Sequence, residues 1–309
     1  MTRRSNTAFE LLILGSSSAI PSDSRHPSAQ ILNIRDRLFL IDCGEGTQNR
    51  LWAHRVRWNR MSHILISHLH GDHVFGLPGL LTSLSHLQRT QPLTIAGPLG
   101  IKNFVDNIFS HSRTHLSYNL TFMELDSEVE GMVWDDGLIR VRWFPLNHRI
   151  PTVGYRFDVE ETYRKLKIEK VSSFPIPVNR YRDIQEGKPV SDSGGNIYQA
   201  DELSDLIHYH KSYAYCSDTR YFESVLENIK GVSVLYHETT YLEELSLKAN
   251  ETGHSTALQA AMIAKKAGVG KLITGHYSSR YDDLMPILQE CHSVFPETIL
   301  GTEGLRLEI

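Results

Sequence analysis

Short apolar or β-branched runs recur along the whole 309-residue chain, and each is followed by a turn signal. This pattern constrains the fold most, because runs of about 4–8 such residues bounded by Gly, Pro, Asn, Asp or Ser are typical of β-strands. Helical patterns lie between some of them, most clearly over 255–269, where we expect Ser255 to cap the helix and Gly268 or Gly270 to end it. The chain is therefore predicted to be α/β. The predicted strands cover 9–15, 30–34, 37–44, 63–68, 93–98, 139–146, 213–218, 232–238 and 271–276.

Composition places the chain among globular proteins. Hydrophobic residues make up 40% and charged residues 22% of the sequence, and no run approaches the roughly 18 apolar residues that cross a bilayer. The apolar run that follows Arg3 and Arg4 is too short for a signal peptide, so we expect a first strand there instead. The three cysteines are far apart and form no CxxC pair, which argues against a disulfide framework. A cytoplasmic protein without a membrane partner is expected.

The net charge of −4 gives the molecule no long-range attraction to nucleic acid, so such a partner must be held by local patches. One patch is the arginine cluster between residues 50 and 60. Another is the segment 163–182, which has six basic residues against one acidic residue, two prolines and no convincing apolar face. We predict that this segment forms a projecting arm. A solvated surface loop is the alternative interpretation.

Residues 67–73, SHLHGDH, place three histidines and an aspartate at the end of a predicted strand. His68 and His70 are two positions apart in extended backbone, a spacing that can send both imidazoles to one side. Gly71 allows a sharp bend, after which Asp72 and His73 can face a second position nearby. A lone histidine is commonly structural, but four metal-capable side chains at one strand end predict a metal site with room for two ions.

Imidazole and carboxylate ligands suit zinc, and a catalytic zinc site keeps one position open for water. Further ligands should therefore come from other strand ends. His148, Asp218 and His276 each lie at or just beyond the end of a predicted strand, as a site built on a sheet requires. Asp42 is a candidate for orienting a ligating histidine through a hydrogen bond, which bound imidazoles generally need.

The segment HLHGDH matches the HxHxDH signature of the metallo-β-lactamase superfamily. The chain resembles in particular the ribonuclease Z family, the tRNA 3′-processing endonucleases, through further motifs in the same order over nearly the whole chain. These are LGSSSAIPS (14 to 22), DCGEGTQ (42 to 48), GLPGLL (76 to 81), CSDT (216 to 219), HETT (237 to 240), GHST (253 to 256) and GHYSSRY (275 to 281). HETT and CSDT depart from the usual HEAT and GDT, and the arm lacks the Gly-Pro pair usual in the family.

The resemblance implies a metallo-β-lactamase-type αβ/βα four-layer sandwich, formed as a single domain over 1–309 with a tRNA-binding arm inserted at 160–197. It implies a homodimer in which the arm of one subunit serves the other subunit's site. It also implies two Zn²⁺ per subunit. His68, His70 and His148 would hold one ion, Asp72, His73 and His276 would hold the other, and Asp218 would bridge them.

The expected reaction removes the 3′ trailer from precursor tRNA, leaving a 3′-hydroxyl on the tRNA and a 5′-phosphate on the trailer. Asp72 takes the proton of the attacking water, the role that the resemblance assigns to it. His254 is the candidate donor to the leaving 3′-oxygen, with Glu238 to orient its ring and favour its charged form. A buried hydrogen bond that only closes two loops is the alternative interpretation of the His254 and Glu238 pair.

Two other functions stay open from the sequence. One is another hydrolase of the superfamily, such as a small-molecule phosphodiesterase, against which the basic arm and GHST argue. The other is a nucleic-acid-binding module with a structural zinc pair, but structural zinc sites are closed and usually rich in thiolates. No cysteine of this chain is positioned to contribute one.

Overall fold

The computed structural model describes residues 9–20 and 25–309, and it confirms the α/β class. The expectation for Arg3 and Arg4 and the end of the LGSSSAIPS motif lie outside the described residues. Within those two ranges, no helix is long and apolar enough to cross a membrane.

The elements follow one another in this order. The strands are β1 (Phe9–Gly15), β2 (Ala29–Ile34), β3 (Arg37–Ile41), β4 (Met61–Leu65), β5 (Leu93–Pro98), β6 (Leu120–Leu125), β7 (Gly131–Asp135), β8 (Ile139–Pro145), β9 (Val153–Leu166), β10 (Val190–Ser191), β11 (Ile197–Tyr198), β12 (Ser204–Cys216), β13 (Val234–Glu238), β14 (Leu272–Gly275), β15 (Thr298–Leu300) and β16 (Arg306–Glu308). The helices are α1 (Thr47–Ala53), α2 (Gly71–Val74), α3 (Leu77–His86), α4 (Ile101–Ser112), α5 (Ile168–Ser173), α6 (Tyr181–Gln185), α7 (Ala200–Leu203), α8 (Leu226–Ile229), α9 (Ser246–Thr252), α10 (Ala257–Ala267) and α11 (Met285–His292).

Two seven-stranded sheets form the main unit of the described chain. The first has the order β16-β1-β2-β3-β4-β5-β6 and is parallel from β3 to β6, and the second has the order β15-β14-β13-β12-β9-β8-β7 and is parallel from β12 to β15. Helices α3 and α4 pack on the first sheet, and α10 and α11 pack on the second. The sheets meet through Phe39 and Phe157, whose ring centroids are 5.5 Å apart. This arrangement confirms the predicted αβ/βα sandwich.

All nine predicted strands are present, with ends that differ by a few residues, except that β12 begins nine residues earlier than predicted. The helix predicted over 255–269 is α10, and it ends at Gly268, whose φ of 64° is left-handed. The prediction that Ser255 caps it is wrong. Thr256 is the cap, because its Oγ1 accepts from the Gln259 amide at 3.2 Å, whereas the Ser255 hydroxyl donates to the Thr219 carbonyl.

A second compact unit is formed by Asp136–Ile139 and Asp158–Lys211. The prediction that residues 163–182 lack an apolar face is wrong, because Val171 is fully buried and Ile176 nearly so. Their partners come from further along the chain, beyond the window in which a periodic pattern is visible. The buried core of this unit consists of Val171, Ile176, Ile184, Val190, Ala200 and Leu203.

The charges of this second unit balance differently from those of the segment 163–182 alone. The unit has eight Lys and Arg against eleven Asp and Glu, so its net charge is negative. Lys165 and Lys170 are exposed and form no ion pair with a described carboxylate. The other four basic residues of 163–182 are paired, as Arg164 with Asp201, Lys167 with Asp205, Arg180 with Asp183 and Arg182 with Glu186.

The cap of α10 generates a stability prediction. Thr256→Ala removes the acceptor for the Gln259 amide and the hydroxyl that donates to Glu243. We expect the free energy of unfolding, measured by urea denaturation, to fall by about 1–2 kcal/mol. Thr256→Ser keeps both bonds and should stay close to the parent protein. Equal losses in the two variants would contradict the capping role.

Candidate metal centre and active site

The HLHGDH segment starts just after a buried strand and continues into a short helix. β4 ends at Leu65, His68 is fully buried, and His70 precedes α2, whose first turn contains Asp72. The chain bends at His70, where extended backbone passes into α2 at Gly71, and the bend needs no left-handed φ at Gly71. Its missing side chain makes room for Phe75, since a Cβ at Gly71 would lie 2.4–2.8 Å from atoms of that ring.

All seven predicted ligands converge at one edge of the two sheets. For six of them this follows from the topology, because β4, β12 and β14 belong to parallel ladders and the carboxyl ends of parallel strands meet at the same edge. The seventh, His148, follows β8, which pairs with β7 in antiparallel fashion. The potential ligand atoms within each group lie within 4.8 Å of one another. The groups are His68, His70, His148 and Asp218; Asp72, His73 and His276; and Asp218, His254 and His276.

Asp218 faces the first two groups with different oxygens. Its Oδ2 lies 3.5 Å from His68 Nε2 and 3.8 Å from His148 Nε2. Its Oδ1 lies 3.3 Å from His73 Nε2 and 3.2 Å from His276 Nε2. One carboxylate can thus serve two neighbouring cations.

The outward ring nitrogen of four histidines is held by a hydrogen bond. The Nδ1 atoms are 2.8 Å from Asp42 Oδ2 for His73, 2.6 Å from the Gly253 carbonyl for His148, 2.9 Å from Thr240 Oγ1 for His276 and 3.0 Å from Ser67 Oγ for His68. In each case Nε2 is left to face the cluster. Metal-ligating histidines have this arrangement, so the donor set fits divalent cations.

Charges within the cluster also suit a cation. Burial lowers the pKa of His70 and of His148 to about 4, so both rings are neutral at pH 7 and offer a lone pair. Burial would raise the pKa of Asp72, but His73 and His276 beside it hold that pKa below its usual range. The pKa of Asp218 is also lowered by the surrounding imidazoles despite full burial. Burial would lower the pKa of His73, but Asp218, Asp72 and Asp42 raise it well above its usual value, so this cluster of ionised carboxylates concentrates negative charge where a cation can be held.

Backbone strain occurs at three positions of the site, one of which is Ala19, with a φ of 58°. His276 has a φ of 56°, as does Asp42, and neither is a glycine. Left-handed conformations of such residues persist only where the surrounding structure fixes them, and they occur often at functional sites. The Asp42 carboxylate is fixed by the Ser67 amide and hydroxyl at 2.7 and 2.9 Å and by the Tyr215 hydroxyl at 2.7 Å.

His254 and Glu238 form a buried ion pair beside the cluster. His254 Nδ1 lies 2.9 Å from Glu238 Oε1, and that carboxylate also accepts from the Thr219 and Ser255 amides. Burial alone would lower the pKa of His254, but Glu238 and Asp218 outweigh it and raise that pKa to about 9. His254 is also within ligand distance of Asp218 and His276, a proximity that the sequence did not predict.

The cluster opens into a cavity of about 340 Å³. Several residues that sequence analysis missed line it or fix its walls. The Ala19 amide donates to Asp72 Oδ2 at 2.7 Å, and the Thr240 hydroxyl joins Glu238 to His276. Phe75 and Arg149 adjoin predicted ligands in sequence, which is the signal that could have found them. The lining residues are Ser18, Ala19, Pro27, Glu45, His70, Gly71, Asp72, Phe75, Arg149, Asp218, His254 and His276.

Other predicted features lie outside the ligand groups. Arg280 Nε donates to Ser278 Oγ at 3.0 Å, and its guanidinium lies over the Tyr241 ring. Arg55, Arg57 and Arg60 line a separate cavity. Seven further histidines are absent from every potential metal group of the described chain. They are His54, His86, His111, His115, His208, His210 and His292.

Known proteins match this chain in sequence and structure. The sequence profile described as Anti-Pycsar protein Apyc1 matches residues 9–119. Ribonuclease Z of Porphyromonas gingivalis is 41% identical over 302 residues, which cover 98% of this chain and 99% of that protein. Ribonuclease Z of Parabacteroides distasonis is 40% identical over 301 residues, with coverage of 97% and 99%. The crystal structure of the short form of human tRNase Z has a TM-score of 0.71 and 26% identity, covering 97% of this chain and 99% of that one.

The profile match is confined to the part of the chain that contains HLHGDH. The two bacterial relatives instead match over almost the full length, which includes the segments that contribute His148, Asp218, Glu238, His254 and His276. With identity near 40% over almost its full length, the chain belongs to the ribonuclease Z family and has its metallo-β-lactamase fold.

Proposed function

We propose that this protein is a zinc-dependent endoribonuclease that removes the 3′ trailer from precursor tRNA. The observation that carries the proposal is the Asp218 carboxylate, which faces two groups of ligands with separate oxygens while the His254 and Glu238 pair lies within reach. Family membership supplies the substrate class. The products would be a tRNA with a 3′-hydroxyl and a trailer with a 5′-phosphate.

The first ion would be held by His68, His70 and His148, the second by Asp72, His73 and His276, and both by Asp218. Two zinc ions would supply Lewis acidity at the scissile phosphate and make the attacking water more acidic. The protein's own part is to fix the ligands. His73 is oriented by Asp42 and His276 by Thr240, which keeps their Nε2 atoms directed inward.

Asp72 would accept the proton of the attacking water. Its Oδ2 is held by the Ala19 amide at 2.7 Å and lies 3.4 Å from His276 Nε2. A charge-assisted bond from a backbone amide fixes the carboxylate without moving a proton. The carboxylate is therefore positioned before substrate binds.

His254 would donate a proton to the leaving 3′-oxygen as the bond between phosphorus and that oxygen breaks. Glu238 engages Nδ1 at 2.9 Å, so the proton would leave from Nε2. Glu238 is itself fixed by three backbone amides, from Thr219, Thr240 and Ser255. A ring oriented in this way is suited to general acid catalysis.

End-mapping of a 3′-extended precursor tRNA tests the reaction. Purified protein should cut just after the discriminator base and contain two zinc ions per subunit by elemental analysis. A chelator or Asp72→Ala should abolish the cut, whereas Asp106→Ala, which removes an exposed carboxylate on α4, should not. An intact precursor alongside hydrolysis of a small phosphodiester would point to another hydrolase of the superfamily.

Removal of the proposed proton donor should slow chemistry without loss of metal. We expect His254→Ala to keep its zinc content and to lower the single-turnover rate on precursor tRNA by about 10²–10⁴-fold. Glu238→Gln should lower it less, since the ring stays in place. His111→Ala on the exposed face of α4 is the matched control. An unchanged single-turnover rate in His254→Ala would remove this residue from the mechanism.

We further propose that the insertion at 160–197 binds tRNA and that the protein is a homodimer in which this arm serves the other subunit's site. The ion pairs of the arm limit which of its basic residues can contact tRNA phosphates. Since four of the six basic residues of 163–182 are paired with carboxylates, Lys165 and Lys170 are the cations available for phosphates. Each phosphate contact by Lys or Arg releases counterions and makes binding sensitive to salt.

Charge reversal at these two lysines tests the arm. Lys165→Glu with Lys170→Glu should raise KM for precursor tRNA at least tenfold and reduce the slope of log K against log salt by about 1.5. Lys188→Glu, at a lysine already paired with Glu186, is the control. Unchanged KM and slope would refute contact by these lysines.

Mixed dimers with the same variants test the trans arrangement. One subunit carries Asp72→Ala and an intact arm, and the other carries the two lysine reversals and an intact site. If an arm serves its partner's site, mixing should restore cleavage above the level of either parent. Additive activities would indicate that each arm serves its own subunit.

A further inference from the structure

We propose that the catalytic cavity contains a nucleotide subsite in which Phe75 stacks on a base flanking the scissile phosphate and Arg149 binds the neighbouring phosphate. This inference rests on the proposed function, since it concerns how RNA lies in that site. Both residues line the cavity together with Asp72, His254 and His276.

Phe75 is unusually exposed for an aromatic residue between two buried segments. It is 63% exposed, although Val74 before it and Leu77 after it are fully buried. Among the described aromatic residues only Trp52, at 68%, is also more than 60% exposed. A large apolar ring open to solvent in the wall of a catalytic cavity offers a surface that an aromatic base of a ligand can cover.

The Phe75 ring lies against the backbone of Gly71 and near the ring of Phe104. Gly71 lies so close that any Cβ there would overlap the ring. The ring of Phe104 lies nearly parallel, with an interplanar angle of 8° and centroids 6.4 Å apart. Fixed aromatic rings stack on bases of single-stranded RNA with little dependence on sequence. That tolerance suits a cleavage point where trailers differ.

Arg149 supplies the one arginine among the cavity-lining residues. It follows His148, is exposed, and forms no ion pair with any carboxylate in residues 9–20 and 25–309. The nearby acidic groups Asp218 and Glu238 are already engaged by histidines. An arginine without a carboxylate partner, beside the reacting phosphate, is suited to bidentate binding of a second phosphate.

A double-mutant cycle tests the base contact. Precursor tRNAs with an abasic nucleotide on either side of the cleavage point are compared with the parent substrate. Wild-type kcat/KM should fall by on the order of tenfold on one abasic substrate. Phe75→Leu should show that loss already on the parent substrate and little further loss on the abasic one, and Phe75→Tyr should behave as wild type.

Trp52→Leu is the matched control, and it should keep the wild-type ratio between the two substrates. If Phe75→Leu also keeps that ratio at both positions, the ring does not contact a base and the inference is wrong. A defect in folding or assembly lowers both rates equally and so counts as absence of coupling.

A parallel cycle tests Arg149. A neutral methylphosphonate replaces each phosphodiester adjacent to the scissile one in turn. Wild type should lose on the order of tenfold in kcat/KM at one position, and Arg149→Met should be insensitive there. Arg149→Lys should retain part of the sensitivity. Equal sensitivity of wild type and Arg149→Met at both positions would overturn the phosphate contact.

Failure of the proposed function gives a different result. If wild-type protein leaves the parent precursor uncut, the endonuclease assignment fails, and the same cycles are then measured as Kd for the intact RNAs. Coupling in Kd would support the subsite independently of cleavage, and its absence would overturn it.

Discussion

The buried carboxylate of Asp42 is the interaction on which the rest of the site depends. It lies at the end of β3 in a left-handed backbone conformation and accepts from Ser67 on the first sheet and from Tyr215 on the second. It also fixes the ring of His73 at 2.8 Å. Burial of a carboxylate costs free energy unless its oxygens accept hydrogen bonds. Ser67 and Tyr215 must therefore keep their positions relative to Asp42. The relative position of the two sheets and the orientation of the His73 ring, a predicted metal ligand, therefore depend on the same carboxylate.

A second hydrogen-bonded network, around Thr240, links other parts of the site. The Thr240 hydroxyl donates to Glu238 and contacts both the ring and the carbonyl of His276. His254 and Glu238, the proposed proton-donating pair, are therefore linked by hydrogen bonds to His276, a predicted metal ligand. Networks of this kind lose more than the sum of their pairwise bonds when one member is removed. A change at Thr240 would disturb both halves of the site.

Much of the fold, and the proximity of the candidate ligands, could be predicted because the signals are local. HLHGDH is contiguous, and His148, Asp218 and His276 each lie near the end of an apolar run. In a capping box the Glu or Gln lies three residues after the cap. The position of Gln259 therefore identifies Thr256, and not Ser255, as the cap of α10. Seven observed strands have no counterpart among the predicted ones. β6 and β7 have mostly half-exposed residues that alternate weakly, β10, β11, β15 and β16 are two or three residues long, and β9 is buried only in its first half.

The inserted unit could not be predicted from its own pattern. Val171 and Ile184 share a buried cluster with Leu203, which lies 32 and 19 residues further along the chain, and no periodicity within one element records such a distant association. The charge of the arm was misjudged for the same reason. The six basic residues within 163–182 are evident from the sequence of that segment alone. The carboxylates that pair with Arg164 and Lys167 lie outside it, near residue 200, so the pairing is not evident.

The acidic balance of that unit bears on selectivity among cellular RNAs. A strongly basic arm would bind any polyanion, so much of the protein would be occupied by RNA that is not a substrate. With eleven acidic against eight basic residues, the proposed tRNA-binding unit would repel an arbitrary RNA backbone at distances beyond direct contact. Only an RNA whose shape brings phosphates to the few unpaired cations would then bind. Rejection of the wrong RNAs would thereby be separated from cleavage of the right one.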